Sequence, residues 1–176
     1  MSKIIIYLVI TKGNNFYISS MKIRLITIGK TDESYLKEGV EKYVSRLKHY
    51  VDFEIKEIQD VKMGKKQNTT VQKDLEGKEI IKFITKSDFV VLLDEKGREY
   101  NSRTYAEFIQ KRMNAGLNLV FVIGGPFGFS EEVYAVSNQK IALSQMTFSH
   151  QMIRLFFTEQ LYRSFSILKG EKYHHD

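Results

Sequence analysis

His150 and Arg154 lie four residues apart and share one face of a helical segment late in the chain. A histidine can accept a proton near neutrality, and a neighbouring arginine can steady a negative charge. Glu159 and Arg163 repeat the spacing on roughly the opposite face, where a structural ion pair is the favoured reading. Glycines carry a different chemistry. The stretch LVFVIGGPFGFS, residues 119–130, ends an apolar run in Gly124, Gly125, Pro126 and Gly128, and Pro126 is the only proline. Glycine leaves no side chain in the way of a ligand, and proline stiffens the bend while holding Gly125 extended. Such a bend suits a flat or bulky small molecule. It lacks the GK[ST] of a Walker loop and the spacing of G-x-G-x-x-G. A tight structural turn is the competing reading. Ser144, Gln145 and Thr147 place hydrogen-bonding groups at a second strand exit, so two loops can hold a nucleoside between them.

Composition narrows the field. The chain has 176 residues, which suits one domain with or without a tail. Hydrophobic residues make up 43%, enough for a proper core. There is no cysteine, which excludes disulfides, thiolate metal sites and a cysteine nucleophile, and is compatible with a cytoplasmic protein. The four histidines, His49, His150, His174 and His175, include no helical zinc spacing, so no metal is expected. A net charge of +6 fits a polyanionic partner such as nucleic acid and fits an ordinary solvated surface equally well. No apolar run approaches the ~20 residues that span a bilayer, so no membrane association is expected.

Strands and helices must position these groups. IRLITIG reads as a strand closed by Gly29, and ESYLKEGVEKYVSRLKHY has a helical apolar period. VDFEIKEI alternates as a strand with one wet face; a lysine-rich loop and a second helix, TTVQKDLEGKEIIKFIT, follow. DFVVLLD and LNLVFVIGG are continuous apolar runs, as fully buried strands show. Between them Thr104 and Glu107 suggest a capping box for a third helix through Met113. Ser130 caps a short helix with Glu131 and Glu132 in its first turn, then comes KIALSQMTF, a short strand and turn. HQMIRLFFTEQLYRSFSILKG is a final helix from His150. The alternation predicts an α/β fold, a mainly parallel sheet with helices on both faces.

In combination, MKIRLITIGK, VVLLDEKGREYNS, FVIGGPFGFSEEV and LSQMTFSHQMIRLFFTEQLYRSFSILKGEKYHH resemble the RlmH (YbeA-like) family of SPOUT-class rRNA pseudouridine methyltransferases. The resemblance runs from Met21 to His175. It implies a C-terminal trefoil knot, one of the rare exceptions to unknotted chains. It implies S-adenosylmethionine as cofactor, held by Leu93, Gly124, Gly125 and the segment Leu143, Ser144, Gln145, Met146, Thr147 and Phe148. It implies methylation of the N3 atom of a pseudouridine in large-subunit (23S) rRNA, on the assembled ribosome. The partners it implies are a second copy, as a homodimer, and the ribosome. Catalytic roles then fall to His150, Arg154 and the terminal Tyr173 and His174: a histidine would accept the N3 proton or orient the ring, and Arg154 would steady the developing oxyanion. Tyr173 can stack on a base and His174 can hydrogen-bond one. Where the family usually has proline before that histidine, this chain has Ser149, which can cap the helix instead. The rival class is a non-enzymatic RNA-binding protein, which need not bind the methyl donor.

The final helix is apolar on nearly every side, so one face is expected to meet a second copy. Lys62, Lys65, Lys66 and Arg98 are candidate phosphate contacts, with a solvated loop as the equal alternative. Residues 1–20 carry a short apolar run, KIIIYLVI, that reads as a weak signal-like segment, an added edge strand, or an extension ahead of a fold that begins at Met21. The third is favoured: 1–20 an extension, 21–176 a single domain. Deleting residues 1–20 is expected to leave the thermal midpoint and donor binding unchanged, as calorimetry on the shortened chain will show.

Overall fold

The computed structural model describes residues 21–60 and 68–173. The leader 1–20, the loop lysines Lys62, Lys65 and Lys66, and His174, His175 and Asp176 lie outside the described residues. Elements follow in the order β1 (Lys22–Ile28), α1 (Ser34–Leu47), β2 (Asp52–Ile58), α2 (Thr69–Ile81), β3 (Asp88–Glu99), α3 (Ser102–Asn114), β4 (Asn118–Ile123), α4 (Glu131–Val136), β5 (Gln139–Ala142) and α5 (Met152–Leu168). The strands form one sheet in the order β2–β1–β4–β3–β5, and each pairing is parallel. Parallel strands need helical crossovers, and those crossovers cover both faces.

The period-2 rule divides the core cleanly. Ile23 and Leu25 of β1, Val91 of β3, and Leu119, Phe121 and Ile123 of β4 point to one face, where α1, α3 and α5 bring Leu47, Phe108, Ile109, Phe157 and Leu161. Ile26, Ile28, Val90, Leu92, Val120 and Val122 point to the other, against Ile80 of α2 and Val133 of α4. Phe121 and Phe157 meet at the centre with ring centroids 4.8 Å apart. Burying side chains like these contributes roughly 1.5–3 kcal/mol each.

Two details differ from the sequence reading. The third helix begins at Ser102, and its capping box joins Asn101 to Thr104 rather than Thr104 to Glu107. Asn101 Oδ1 accepts from Thr104 N at 2.9 Å, so Thr104 is the third residue of the helix and not its cap. β3 also continues well past its apolar run. It pairs with β5 at Leu93–Ile141, bulges, and pairs again at Arg98–Ile141 and Glu99–Ala142. Gly97 makes this possible, because a Cβ there would stand 2.5 Å from Ile141 N and 2.7 Å from its Cα. Backbone that close cannot yield. Gly97→Ala is expected to destabilise the fold by about 1–3 kcal/mol, read as a lowered urea midpoint.

Candidate functional site

β4, β3 and β5 are neighbours and run parallel, so their carboxyl ends meet at one edge, the usual place for a ligand in an open α/β sheet. A cleft of about 630 Å³ opens there. The glycine turn after β4 forms one wall, the segment after β5 the opposite wall, and the β3 bulge the floor. Gly128 N donates to Gly125 O at 3.1 Å, and Gly128 has φ of +80°. Pro126 is thus the second residue of a β-turn and Gly128 the fourth, the positions each favours.

Leu93, Gly124, Gly125, Leu143, Ser144, Met146, Thr147 and Phe148 all line this cleft. Gln145 does not; its amide points outward and donates to Glu99 Oε2 at 3.2 Å. Asp94, Glu95, Lys96, Lys73, Glu131 and Tyr134 also line it and were not anticipated. The Tyr134 hydroxyl donates to Asp94 Oδ2 at 2.6 Å, and Lys96 N donates to Asp94 Oδ1 at 2.8 Å. Burial, and then the Asp94 carboxylate, push the Tyr134 hydroxyl up to about 12. The place of Asp94, at the carboxyl end of a buried strand, was the available signal for it.

His150 is exposed and lines the cleft beside Ser149. Ser149 Oγ accepts from Met152 N at 3.2 Å and its carbonyl accepts from Ile153 N at 3.1 Å. The serine thus holds the turn that leads into α5, and the helix begins at Met152, two residues beyond His150, with no side-chain cap from Gln151. Arg154 is 1% exposed and is not part of the cleft wall. Its Nη2 donates to Ile28 O at 2.6 Å, Nη1 to Thr31 Oγ1 at 2.9 Å, and Nε to His150 O at 3.1 Å. Burial lowers its pKa, opposed by Glu57, Asp60 and Asp32, with the Glu57 carboxylate 4.0 Å away.

Tyr173 lies on the α1–α5 side of the molecule and is not a cleft residue. Its hydroxyl pairs with Tyr43 at 3.1 Å and donates to Glu159 Oε1 at 3.2 Å. Its ring packs edge-on against Tyr162 at 4.8 Å, with the Arg163 guanidinium 4.8 Å from its centre. Burial and the Tyr43 bond raise its pKa. Glu159 and Arg163 pair at 2.7 Å within the same cluster. The structure thus brings His150 to the glycine turn and keeps Tyr173 of the same chain apart from both.

The all-parallel sheet with a cleft at its carboxyl edge makes an α/β protein with a ligand site in the usual place. The profile of the family described as "Predicted SPOUT methyltransferase" matches residues 21–174. The chain belongs to the SPOUT methyltransferase family, whose α/β knot is the fold class expected from the sequence. It is similar to proteins named "Ribosomal RNA large subunit methyltransferase H". That of Christiangramia forsetii is 56% identical over 156 residues, 88% of this chain and 99% of the relative. That of Porphyromonas gingivalis is 53% identical over 157 residues, 89% of this chain and 100% of the relative. That of Cytophaga hutchinsonii is 55% identical over 157 residues, 88% of this chain and 100% of the relative.

Replacing Arg154 by alanine would leave a cavity and strand the carbonyls of Ile28 and His150. The expected loss of stability is about 3–5 kcal/mol, measurable by urea denaturation; Arg154→Lys should recover only part of it, since an ammonium lacks the planar fork.

Proposed function

We propose that this protein methylates the N3 atom of a pseudouridine in large-subunit (23S) rRNA on the assembled ribosome, with S-adenosylmethionine as methyl donor, and that it works in the cytoplasm as a homodimer. The observation that carries the reading is the cleft between the glycine turn and the Leu143–Phe148 segment. The names of the relatives support the substrate.

The residues present fit that donor. The cleft volume, about 630 Å³, falls within the range of cofactor sites. Leu93, Ile123, Leu143 and Ile153 offer an apolar surface for the adenine ring, and Asp94, Glu95 and Glu131 offer negative charge for a cationic ligand. The donor supplies an electrophilic methyl on a sulfonium. Gly124 and Gly125 would hold it on one side and Leu143, Ser144, Met146, Thr147 and Phe148, which line the same cleft, on another. His150, exposed at the same cleft, accepts the N3 proton of the base or orients the ring. Arg154 contributes by fixing the carbonyl of His150, and so holds that side chain in register with the turn. Most of the rate gain comes from this positioning.

Tyr173 and His174 complete the substrate site from a second copy. Two observations support this. Tyr173 is displaced from its own chain's cleft, and α5 keeps apolar residues on its outer side, with Phe156 40% exposed and Phe148 packed on it at 4.8 Å.

Transfer of labelled methyl from the donor to ribosomes, followed by mapping of the modified base, tests the reading. Label on a pseudouridine of the large subunit is expected. Label absent, or on another base, overturns it. His150→Ala is expected to lower kcat by about 10²-fold or more with donor affinity nearly unchanged, as single-turnover methylation and calorimetry will separate.

A further inference from the structure

A carboxyl group beneath the glycine turn has no role in the mechanism above. Glu76 of α2 is 2% exposed. Its Oε1 accepts from Gln72 Nε2 at 2.7 Å, and its Oε2 has no hydrogen-bond partner. A Cβ on Gly125 would collide with this group, with the carboxyl carbon and Oε1 both at 2.9 Å and Oε2 closer still. The carboxyl is therefore pressed against the bare Cα of Gly125, a residue that also lines the cleft. The next residue allows the approach. A Cβ on Gly77 would collide with Ser130 Oγ and stand 3.2 Å from Val133 Cγ2, so a side chain there would push α2 away from α4.

An ionised carboxylate with one bare oxygen is costly in such a place. Burial raises the pKa of Glu76, the Gln72 bond opposes this, and the nearby Asp60 carboxylate adds to the rise. Around it, the 124–129 turn brings no titratable side chain and α4 brings Ser130 and Val133. Asp60, after β2, is the charged group whose field reaches it. Burial and the bare Oε2 both weigh against the charged form.

We propose that Glu76, as a neutral acid, is a positioning residue for the methyl donor: it sets where the Gly124–Gly125 backbone stands in the cleft, and its ionisation displaces that wall. This rests on the donor-binding reading of the cleft. Because the folded state holds the proton more tightly than the unfolded chain, the contribution is complete below the ordinary carboxylate range. It is lost as pH rises through that range to the raised value. Donor binding compares two folded states, so affinity should fall only as pH rises through the raised value.

The test is the dissociation constant of S-adenosylmethionine for the full chain, for Glu76→Gln and for Glu76→Ala, by calorimetry between about pH 5 and about pH 9. The amide copies the neutral acid in shape and cannot ionise. Glu76→Gln should match the parent at the acid end and bind about fivefold or more tighter at the alkaline end. Glu76→Ala, which leaves a void behind the turn, should bind about tenfold weaker than both at the acid end. Every other group is common to both proteins, so the ratio of parent to Glu76→Gln isolates the carboxyl. Parallel pH profiles for parent and Glu76→Gln would overturn the inference while leaving the donor site intact. A parent that binds no donor at any pH would instead remove the reading on which it rests. If Glu76→Ala does not fold, the comparison of parent with Glu76→Gln decides the matter alone.

Discussion

Three acceptors from separate segments converge on one guanidinium. The carbonyl at the end of β1, the hydroxyl of Thr31 and the carbonyl of His150 all receive hydrogen bonds from Arg154. A planar cation with donors on three sides is the group that can meet such a set, and only a full set makes its burial tolerable. The consequence is geometric. The start of α5 is fastened to the carboxyl edge of the sheet, so the segment that runs from β5 into α5 has both ends fixed. That segment is the wall facing the glycine turn. The Gln151 side chain adds to the fastening, accepting from Asp32 N at 2.9 Å and Glu33 N at 3.3 Å.

Close backbone approach does the rest. Gly97 lets β3 and β5 pair again beyond the bulge, and Gly125 lets α2 lie against the turn. These contacts set the cleft's floor and one of its walls. They also keep Gly124, Gly125 and Gly128 on the lining, where a ligand meets backbone, which cannot swing away as a side chain can. Asp94 shows the same economy of motion: both of its oxygens are held, one by Tyr134 and one by Lys96 N.

Much of the fold could be read from the sequence because its signals are local. Buried parallel strands announce themselves as unbroken apolar runs, and the glycine–proline bend marks where one of them stops. The candidate cofactor residues came from that bend and from the resemblance, and eight of the nine line one cleft, all but Gln145. What could not be read was depth. Helical spacing placed His150 and Arg154 on one side of a helix, yet it cannot tell an exposed side chain from one sealed behind it. Glu76 sits in a stretch, QKDLEGKE, that reads as solvated, and its burial arises from Gly125 and Gly77 making room at long range. The β3 bulge was hidden for a similar reason, since EKGRE has no strand pattern of its own.

The order of the sheet also bears on when the site can come into being. β1, β2, β4 and β3 can pair while the chain is still being made, although each neighbour is distant in sequence. The edge strand β5, the wall after it and the arginine clamp are all encoded after residue 138. A chain halted short of them lacks Phe157, Leu161 and Phe165, which cover one face of the sheet, and one wall of the cleft. The cleft is therefore complete only once nearly the whole chain has been made.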